Sequence, residues 1–109
     1  MKTKLPEPLE AYFDAVDRED MDAMLTPFAA SAVVKDEGKT RTGRVAVREW
    51  IEEVTEKYHP RFVIEDVVEE GGGTIVVTGL VSGTFPGSPV RLRYAFSLNA
   101  GEITHLEIS

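Results

Sequence analysis

The stretch VRLRYAFSLN, Val90–Asn99, decides the fold class of this chain. Apolar residues occupy every second position, a period of two that is typical of a β-strand with one buried face. The apolar set is Val90, Leu92, Tyr94, Phe96 and Leu98, and the opposite set includes Arg91, Arg93 and Ser97. The chain is therefore expected to contain a sheet with one apolar face and one polar face.

The sequence around this strand also has the composition of strands joined by short turns. RFVIEDVVEE is followed by the glycines at 71–73 and then by TIVVTGLVSGTF, while PGSP and AG flank Val90–Asn99 as turn sequences. In the final EITHLEIS, alternation predicts that Leu106 faces the interior and Ile103 faces outward. Gly79 and Gly83 fall in the long middle strand, where glycine often marks a bend. We therefore expect a strongly curved, mainly antiparallel sheet.

Helical periodicity dominates the first half of the chain instead. Apolar side chains share one face of a first helix near 5–16 and of a third helix near 47–58. Between them, Asp20 is expected to cap a short second helix with Phe28 on its apolar face, followed by a short strand at Ala32–Val34. This order predicts an α+β, cone-shaped fold with N-terminal helices packed on the sheet, in a single domain over 1–109.

Composition argues against several classes of function. The chain has no cysteine, which removes disulfides, thiolate metal ligands and cysteine nucleophiles. Its net charge of −7 disfavours nucleic acid and anionic membranes as partners, because both need a basic surface. We expect neither partner, no metal and no cofactor. The N-terminus has no long apolar run typical of a secretory signal, so a cytoplasmic location is the expectation.

The segment from Tyr12 to Ile51 resembles a known family. Its pattern YF.A....D.D.M...FA..AVV.D.G....G..AVREWI is similar to that of the SnoaL-like and ketosteroid-isomerase-like group of the nuclear-transport-factor-2-like superfamily. The resemblance implies a pocket between the helices and the concave sheet face that binds an apolar, oxygen-bearing small molecule. It also implies homodimers formed through sheet faces. The scaffold hosts isomerases, polyketide cyclases, epoxide hydrolases and inert binding subunits, so it leaves the activity open.

Three candidate catalytic residues follow from this resemblance. Asp36 falls where ketosteroid isomerases place the carboxylate that moves a proton between carbons. Tyr12 falls where they place a tyrosine that donates a hydrogen bond to the substrate oxygen. Tyr94 departs from the pattern, because those isomerases carry a protonated aspartic acid at this position, and a phenol is a weaker donor. The resemblance implies cofactor-independent proton transfer next to a carbonyl group, an isomerisation or a cyclisation.

The residues by themselves leave other interpretations open. Asp36-Glu37-Gly38 is also a plausible polar turn at the end of a strand, and core packing also explains the aromatic candidates. The residues expected on the pocket walls are Phe13, Phe28, Trp50, Tyr58, Phe96 and Leu106. The alternative function is a non-catalytic ligand-binding or dimeric interaction module of the same fold. Arg91 and Arg93 are expected to point outward, which weighs against an epoxide hydrolase with an arginine inside its pocket.

Overall fold

A computed structural model describes residues 5–109, which form three helices and six strands. The helices are α1 (Glu7–Arg18), α2 (Met21–Leu25) and α3 (Arg44–Tyr58). The strands are β1 (Phe28–Asp36), β2 (Lys39–Thr42), β3 (Arg61–Gly71), β4 (Thr74–Ser82), β5 (Val90–Asn99) and β6 (Glu102–Ile108). The predicted α+β class is confirmed. The expectation about a secretory signal falls partly on residues 1–4, which lie outside the described residues.

The six strands form one curved sheet in the order β2-β1-β6-β5-β4-β3. Four of the five neighbouring pairs are antiparallel, and β1 and β6 run parallel. The parallel pair follows from the path of the chain. After β2, helix α3 carries the chain across to β3 at the far edge, and three hairpins then return it to the side of β1.

The hydrophobic core lies between the helices and the concave face of the sheet. Helix α1 contributes Leu9 and Tyr12, and α3 contributes Val47 and Ile51, all of which are buried. The largest fully buried side chains of the sheet are Phe28, Phe96, Ile103, Leu106, Val34 and Val77. Each such side chain contributes about 1.5–3 kcal/mol through burial. The apolar faces that the sequence predicts for the helices and the strands therefore pack together in one core.

The second helix is shorter than its apolar pattern predicts. Asp20 caps it as expected, because its Oδ1 accepts a hydrogen bond from the Ala23 N–H at 3.2 Å. The helix ends at Leu25, and Phe28 belongs to β1, so the prediction that Phe28 lies on the helix was wrong. Pro27 explains the difference, since proline cannot continue a helix but leaves its carbonyl free to pair in a sheet. That carbonyl accepts a hydrogen bond from the Ile103 N–H at 2.9 Å.

A β-bulge changes the orientation of residues in β6. Ser97 pairs with His105 and Leu98 pairs with Ile103, which leaves Thr104 as an extra residue on β6. One extra residue reverses the alternation, so Ile103 and Leu106 both lie in the core with no exposed surface. The prediction that Ile103 faces outward was therefore wrong.

Gly79 allows a close approach between β3 and β4. A Cβ at this position would overlap the carbonyl oxygen of Val63 and lie 2.8 Å from Cζ of Phe62. The register of the two strands shifts immediately after the pair of Ile64 and Gly79. The sheet therefore bends where glycine removes a steric obstacle. The other predicted bend residue, Gly83, follows the end of β4.

We expect Gly79→Ala to lower the free energy of unfolding by about 1–3 kcal/mol, because the added methyl group requires a backbone shift. Urea denaturation monitored by circular dichroism measures the change. Glu107→Ala, at an exposed position of β6, is the control and is expected to stay within about 0.5 kcal/mol of the parent. Equal stability of Gly79→Ala and the parent would show that the strand relaxes freely.

Within residues 5–109, none of the helices has the length and apolar character needed to cross a membrane.

Candidate functional site

A cavity of about 580 Å³ lies between the helices and the concave face of the sheet. Its volume falls within the range of about 300–1,000 Å³ that is typical of small-molecule sites. Seven aromatic side chains contribute to its wall: Tyr12, Phe13, Trp50, Tyr58, Phe62, Phe85 and Tyr94. Glu37, Gly38 and Pro86 also line the cavity and are exposed, so they mark its mouth.

The β1–β2 hairpin positions Asp36 at this cavity. Ala32 and Val34 are fully buried, and the alternation of β1 therefore puts Asp36 on the same inner face. Asp36 pairs with Lys39 across a two-residue turn. Glu37 and Gly38 form that turn with φ angles of 53° and 75°, as a type I′ hairpin requires. The segment is both a turn and a pocket wall, so the two interpretations of the sequence are compatible.

A single hydrogen bond from a side chain orients the Asp36 carboxylate. The indole Nε1–H of Trp50 donates to Oδ2 of Asp36 at 3.0 Å. Partial burial raises the pKa of Asp36 above its usual 3.8, because desolvation disfavours the charged form. The hydrogen bond from Trp50 acts in the opposite direction and favours the carboxylate. The result is a carboxyl group with one anchored oxygen and a raised pKa, which are properties of a general base.

Tyr12 and Tyr94 line the same cavity from α1 and β5. Burial raises the pKa of both phenols, and the nearby carboxylate of Asp36 raises them further. Both phenols therefore stay protonated at neutral pH and can donate hydrogen bonds. Neither hydroxyl group takes part in a side-chain hydrogen bond among residues 5–109, and both side chains line the cavity.

Aromatic contacts hold the Tyr94 ring against the helix layer. Phe13 of α1 stacks on Phe62 of β3 with 4.6 Å between ring centroids. Phe62 meets the Tyr94 ring edge to face at 4.9 Å. Because offset and edge-to-face pairs each add about 0.5–1.5 kcal/mol beyond burial, this cluster restricts the direction in which the Tyr94 hydroxyl points.

The structure brings six of the nine predicted site residues together on the cavity wall: Tyr12, Phe13, Asp36, Trp50, Tyr58 and Tyr94. Phe28, Phe96 and Leu106 do not line it and are fully buried in the core behind it. The predicted pocket-lining role of these three is therefore corrected. The Tyr12 ring covers Phe28 and Phe96 at centroid distances of 5.8 and 6.0 Å. Strand alternation identifies the inner face but not which inner residues a helix covers.

Several wall residues were missed by the sequence analysis. Phe62 is one, although alternation in RFVIEDVVEE could have placed it on the inner face. The others include Val16, Met24, Ile51, Thr55, Leu92 and Ile108. Glu37 is exposed at the cavity mouth, and its Oε1 accepts a hydrogen bond from the Tyr58 hydroxyl at 3.2 Å.

Within residues 5–109, no group of three or more histidine, aspartate or glutamate side chains is arranged to hold a metal ion.

The fold and the cavity define an α+β protein with a ketosteroid-isomerase-like fold, with a carboxylate and two phenols on the wall of an apolar pocket. The sequence profile of the SnoaL-like domain matches residues 9–105. The chain therefore belongs to the SnoaL-like domain family, and the resemblance found in the sequence is confirmed. No curated protein matches the sequence significantly.

Solved structures show the same fold over nearly the whole chain. A proposed polyketide cyclase, protein SMa1630 from Sinorhizobium meliloti, is 38% identical, with a TM-score of 0.91 over 96% of this chain and 95% of that chain. A ketosteroid-isomerase-like protein from Catenulispora acidiphila, in complex with trimethylamine, is 21% identical, with a TM-score of 0.84 over 97% and 86%. RV0760c from Mycobacterium tuberculosis, in complex with estradiol-17β-hemisuccinate, is 17% identical, with a TM-score of 0.79 over 93% and 88%. The last two similarities establish the fold alone.

We expect Trp50→Phe to raise the pKa of Asp36 further, because the variant loses the N–H donor that favours the ionised carboxylate. Carboxyl-carbon NMR titration of Asp36 measures the shift. Tyr58→Phe is the matched control, since it removes a hydrogen bond to Glu37 rather than to Asp36. An unchanged Asp36 titration in Trp50→Phe would mean that the indole does not bind the carboxylate in solution.

Proposed function

We propose that this protein binds an apolar, oxygen-bearing small molecule in the cavity and transfers a proton next to its carbonyl group without a cofactor. One observation carries the proposal. Asp36, Tyr12 and Tyr94 all reach the wall of a single apolar cavity, and the carboxyl group has a raised pKa while both phenols remain protonated. A base and two neutral donors are the groups that enolisation needs.

The proposed step begins with removal of a proton from the carbon next to the carbonyl group. Asp36 accepts this proton, the C–H electron pair forms the enolate double bond, and negative charge moves to the carbonyl oxygen. Tyr12 and Tyr94 donate hydrogen bonds to that oxygen. Where the substrate has a carbon–carbon double bond at the β,γ position, the enolate is a dienolate, and the protonated Asp36 returns its proton to the γ carbon as the carbonyl group re-forms, which completes an isomerisation. Where the substrate has a second carbonyl group, the enolate carbon attacks it, and Asp36 protonates the resulting alkoxide, which closes a ring.

Similarity to other proteins supports this class of ligand. The Sinorhizobium meliloti protein, 38% identical, is a proposed polyketide cyclase, and cyclisation of polyketides joins an enolate carbon to a carbonyl group. The Mycobacterium tuberculosis protein is in complex with estradiol-17β-hemisuccinate, a steroid half-ester with a free carboxyl group, within the same fold. Both are compatible with a wall of aromatic rings and few polar groups.

Hydrogen–deuterium exchange at carbon tests the proposal. The protein is incubated in D₂O with a panel of enolisable fused-ring ketones, and proton NMR follows loss of the signal next to the carbonyl group. We expect exchange to be faster than in buffer alone for at least one ketone that binds. Binding of ketones with no acceleration across the panel would contradict proton transfer.

The second candidate function is a non-catalytic ligand-binding module. It is favoured by Tyr94, because a phenol replaces the stronger carboxylic-acid donor that ketosteroid isomerases carry at this position. Under this hypothesis the cavity binds ketones, but the protein does not accelerate the exchange of carbon-bound hydrogen for deuterium over the rate in buffer alone. The exchange experiment therefore separates the two functions.

We also propose a homodimer formed through the outer face of the sheet. On that face Val68 pairs with Val76, and Val76 pairs with Ala95, which makes a continuous apolar strip. Val68 is 44% exposed and Val63 is 61% exposed. Sedimentation velocity at micromolar concentration is expected to show a dimer that Val68→Glu dissociates, and a monomeric parent protein would contradict the proposal.

A further inference from the structure

The cavity wall carries acidic groups without a basic counterpart. Asp36 and Glu37 both line the cavity, and no lysine, arginine or histidine among residues 5–109 does. The remaining polar side chains of the wall are the indole of Trp50 and the hydroxyl groups of tyrosine, threonine and serine. A ligand inside this space therefore meets two carboxylates and neutral donors.

The basic residues near the mouth already have other partners. Arg41 makes an ion pair with Glu53 at 2.7 Å. The Lys57 amine lies 5.1 Å from the centroid of the Tyr58 ring. The carboxylates of Glu37 and Glu53 attract its positive charge. Neither Arg41 nor Lys57 lines the cavity. From outside the wall, Arg41 attracts Asp36 and Lys57 attracts Glu37. Both bases also interact with Glu53, so they offset the two carboxylates only in part.

We propose that the cavity selects its ligands by charge and admits neutral and positively charged compounds but rejects anions, carboxylates above all. This inference rests on the proposed small-molecule function of the same cavity and narrows its substrate class. Substrates would be uncharged ketones, esters or amides, or compounds with an amino group, rather than free carboxylic acids.

Two physical effects produce the selection. A ligand carboxylate loses water on entering the apolar cavity and finds no cation to compensate. It is also repelled by Asp36 across a region of low dielectric constant, and more weakly by Glu37 at the exposed mouth. A neutral carbonyl oxygen meets neither penalty and can accept hydrogen bonds from Tyr12 and Tyr94. An ammonium group is attracted by the two carboxylates and by the faces of aromatic rings.

Three naphthalene derivatives of matched size test the inference: naphthalene carboxamide, naphthalene carboxylate and naphthylmethylamine. The carboxamide and the carboxylate have nearly the same shape and differ in charge. Isothermal titration calorimetry at pH 8 measures their dissociation constants. We expect the carboxylate to bind at least about tenfold more weakly than either of the others, since repulsion of this order is typical at such separations.

A double variant assigns the effect to the two carboxylates. In Asp36→Asn/Glu37→Gln, we expect the ratio of carboxamide to carboxylate affinity to fall from about tenfold or more to about threefold or less. The control is Glu102→Gln, which removes one negative charge from the first residue of β6, at the end of the strand opposite to the cavity-lining Ile108. This control is expected to keep the ratio of the parent protein.

The possible outcomes separate the two proposals. Equal affinities for the carboxamide and the carboxylate would overturn charge selection and leave the small-molecule function intact. An unchanged ratio in the double variant would also overturn the inference, because the two carboxylates would not be its cause. Failure of all three compounds to bind would contradict the small-molecule function and charge selection together.

Discussion

Asp36→Asn is expected to slow exchange of carbon-bound hydrogen next to a carbonyl group by about 10²–10⁴-fold, the usual contribution of a general base. Asparagine retains the shape and can still accept the hydrogen bond that Trp50 donates at 3.0 Å in the parent protein. Ketone affinity should therefore change little. The measurement is the exchange rate in D₂O, with affinity determined separately by calorimetry.

The same variant is expected to be more stable than the parent protein at neutral pH. The folded state raises the pKa of Asp36 above 3.8, its usual value, so the folded protein binds more protons than the unfolded chain between the two pKa values. The free energy of unfolding of the parent therefore falls as pH rises through that window and stays lower above it. Asparagine does not ionise, so the advantage of Asp36→Asn appears as pH rises and is absent below the window.

Asp66→Asn is a suitable control for these measurements, because Asp66 is exposed on β3 and does not line the cavity. It should leave both exchange and ketone affinity unchanged. If Asp36→Asn exchanged carbon-bound hydrogen as fast as the parent protein, another group would be the base. If its stability advantage did not grow with pH, Asp36 would not be desolvated in solution.

Phe96→Ala is expected to lower the free energy of unfolding by about 3–5 kcal/mol, the range for removing a fully buried phenylalanine. Phe96 has no exposed surface. Its ring contacts those of Tyr12, Phe13 and Tyr94 at centroid distances of 6.0, 5.8 and 6.1 Å. The cavity left behind would also let the two phenols move, so exchange activity should fall as well. Urea denaturation and the exchange assay measure the two effects.

Phe85→Ala provides the comparison for this prediction. Phe85 is partly exposed and contacts the Tyr58 ring at 5.6 Å near the cavity mouth. Its removal should cost clearly less stability than the loss of Phe96, because water already reaches the side chain. A small effect of Phe96→Ala, similar to that of Phe85→Ala, would mean that the core behind the phenols repacks without strain.

Local periodicity was enough to determine the class of fold. Side chains that repeat every two residues in β5 and every three or four in α1 and α3 are dictated by backbone geometry, which acts between near neighbours. The cap at Asp20 is likewise a local interaction. The resemblance of Tyr12–Ile51 to a known family then indicated Asp36 as a residue of the pocket, although its catalytic role stays a prediction.

Contacts between distant residues were not visible in the sequence. The hydrogen bond from Trp50 to Asp36 joins a helix and a strand that are fourteen positions apart. The bulge that turns Ile103 inward depends on how β5 and β6 pair. Burial of Phe28 and Phe96 behind the Tyr12 ring depends on where α1 lies on the sheet. Such features arise from competition for space among residues remote in sequence.

The sequence by itself determined three helices and a bent sheet, because these depend on short-range geometry and on the separation of apolar from polar side chains. Only the tertiary structure decided that a cavity remains open beside Asp36 and that Trp50 anchors one oxygen of its carboxylate. It also decided that no basic side chain among residues 5–109 lines the cavity. The physical reason is that a cavity is the space left after all side chains have packed. Its presence depends on contacts between residues distant in sequence, which no local pattern predicts.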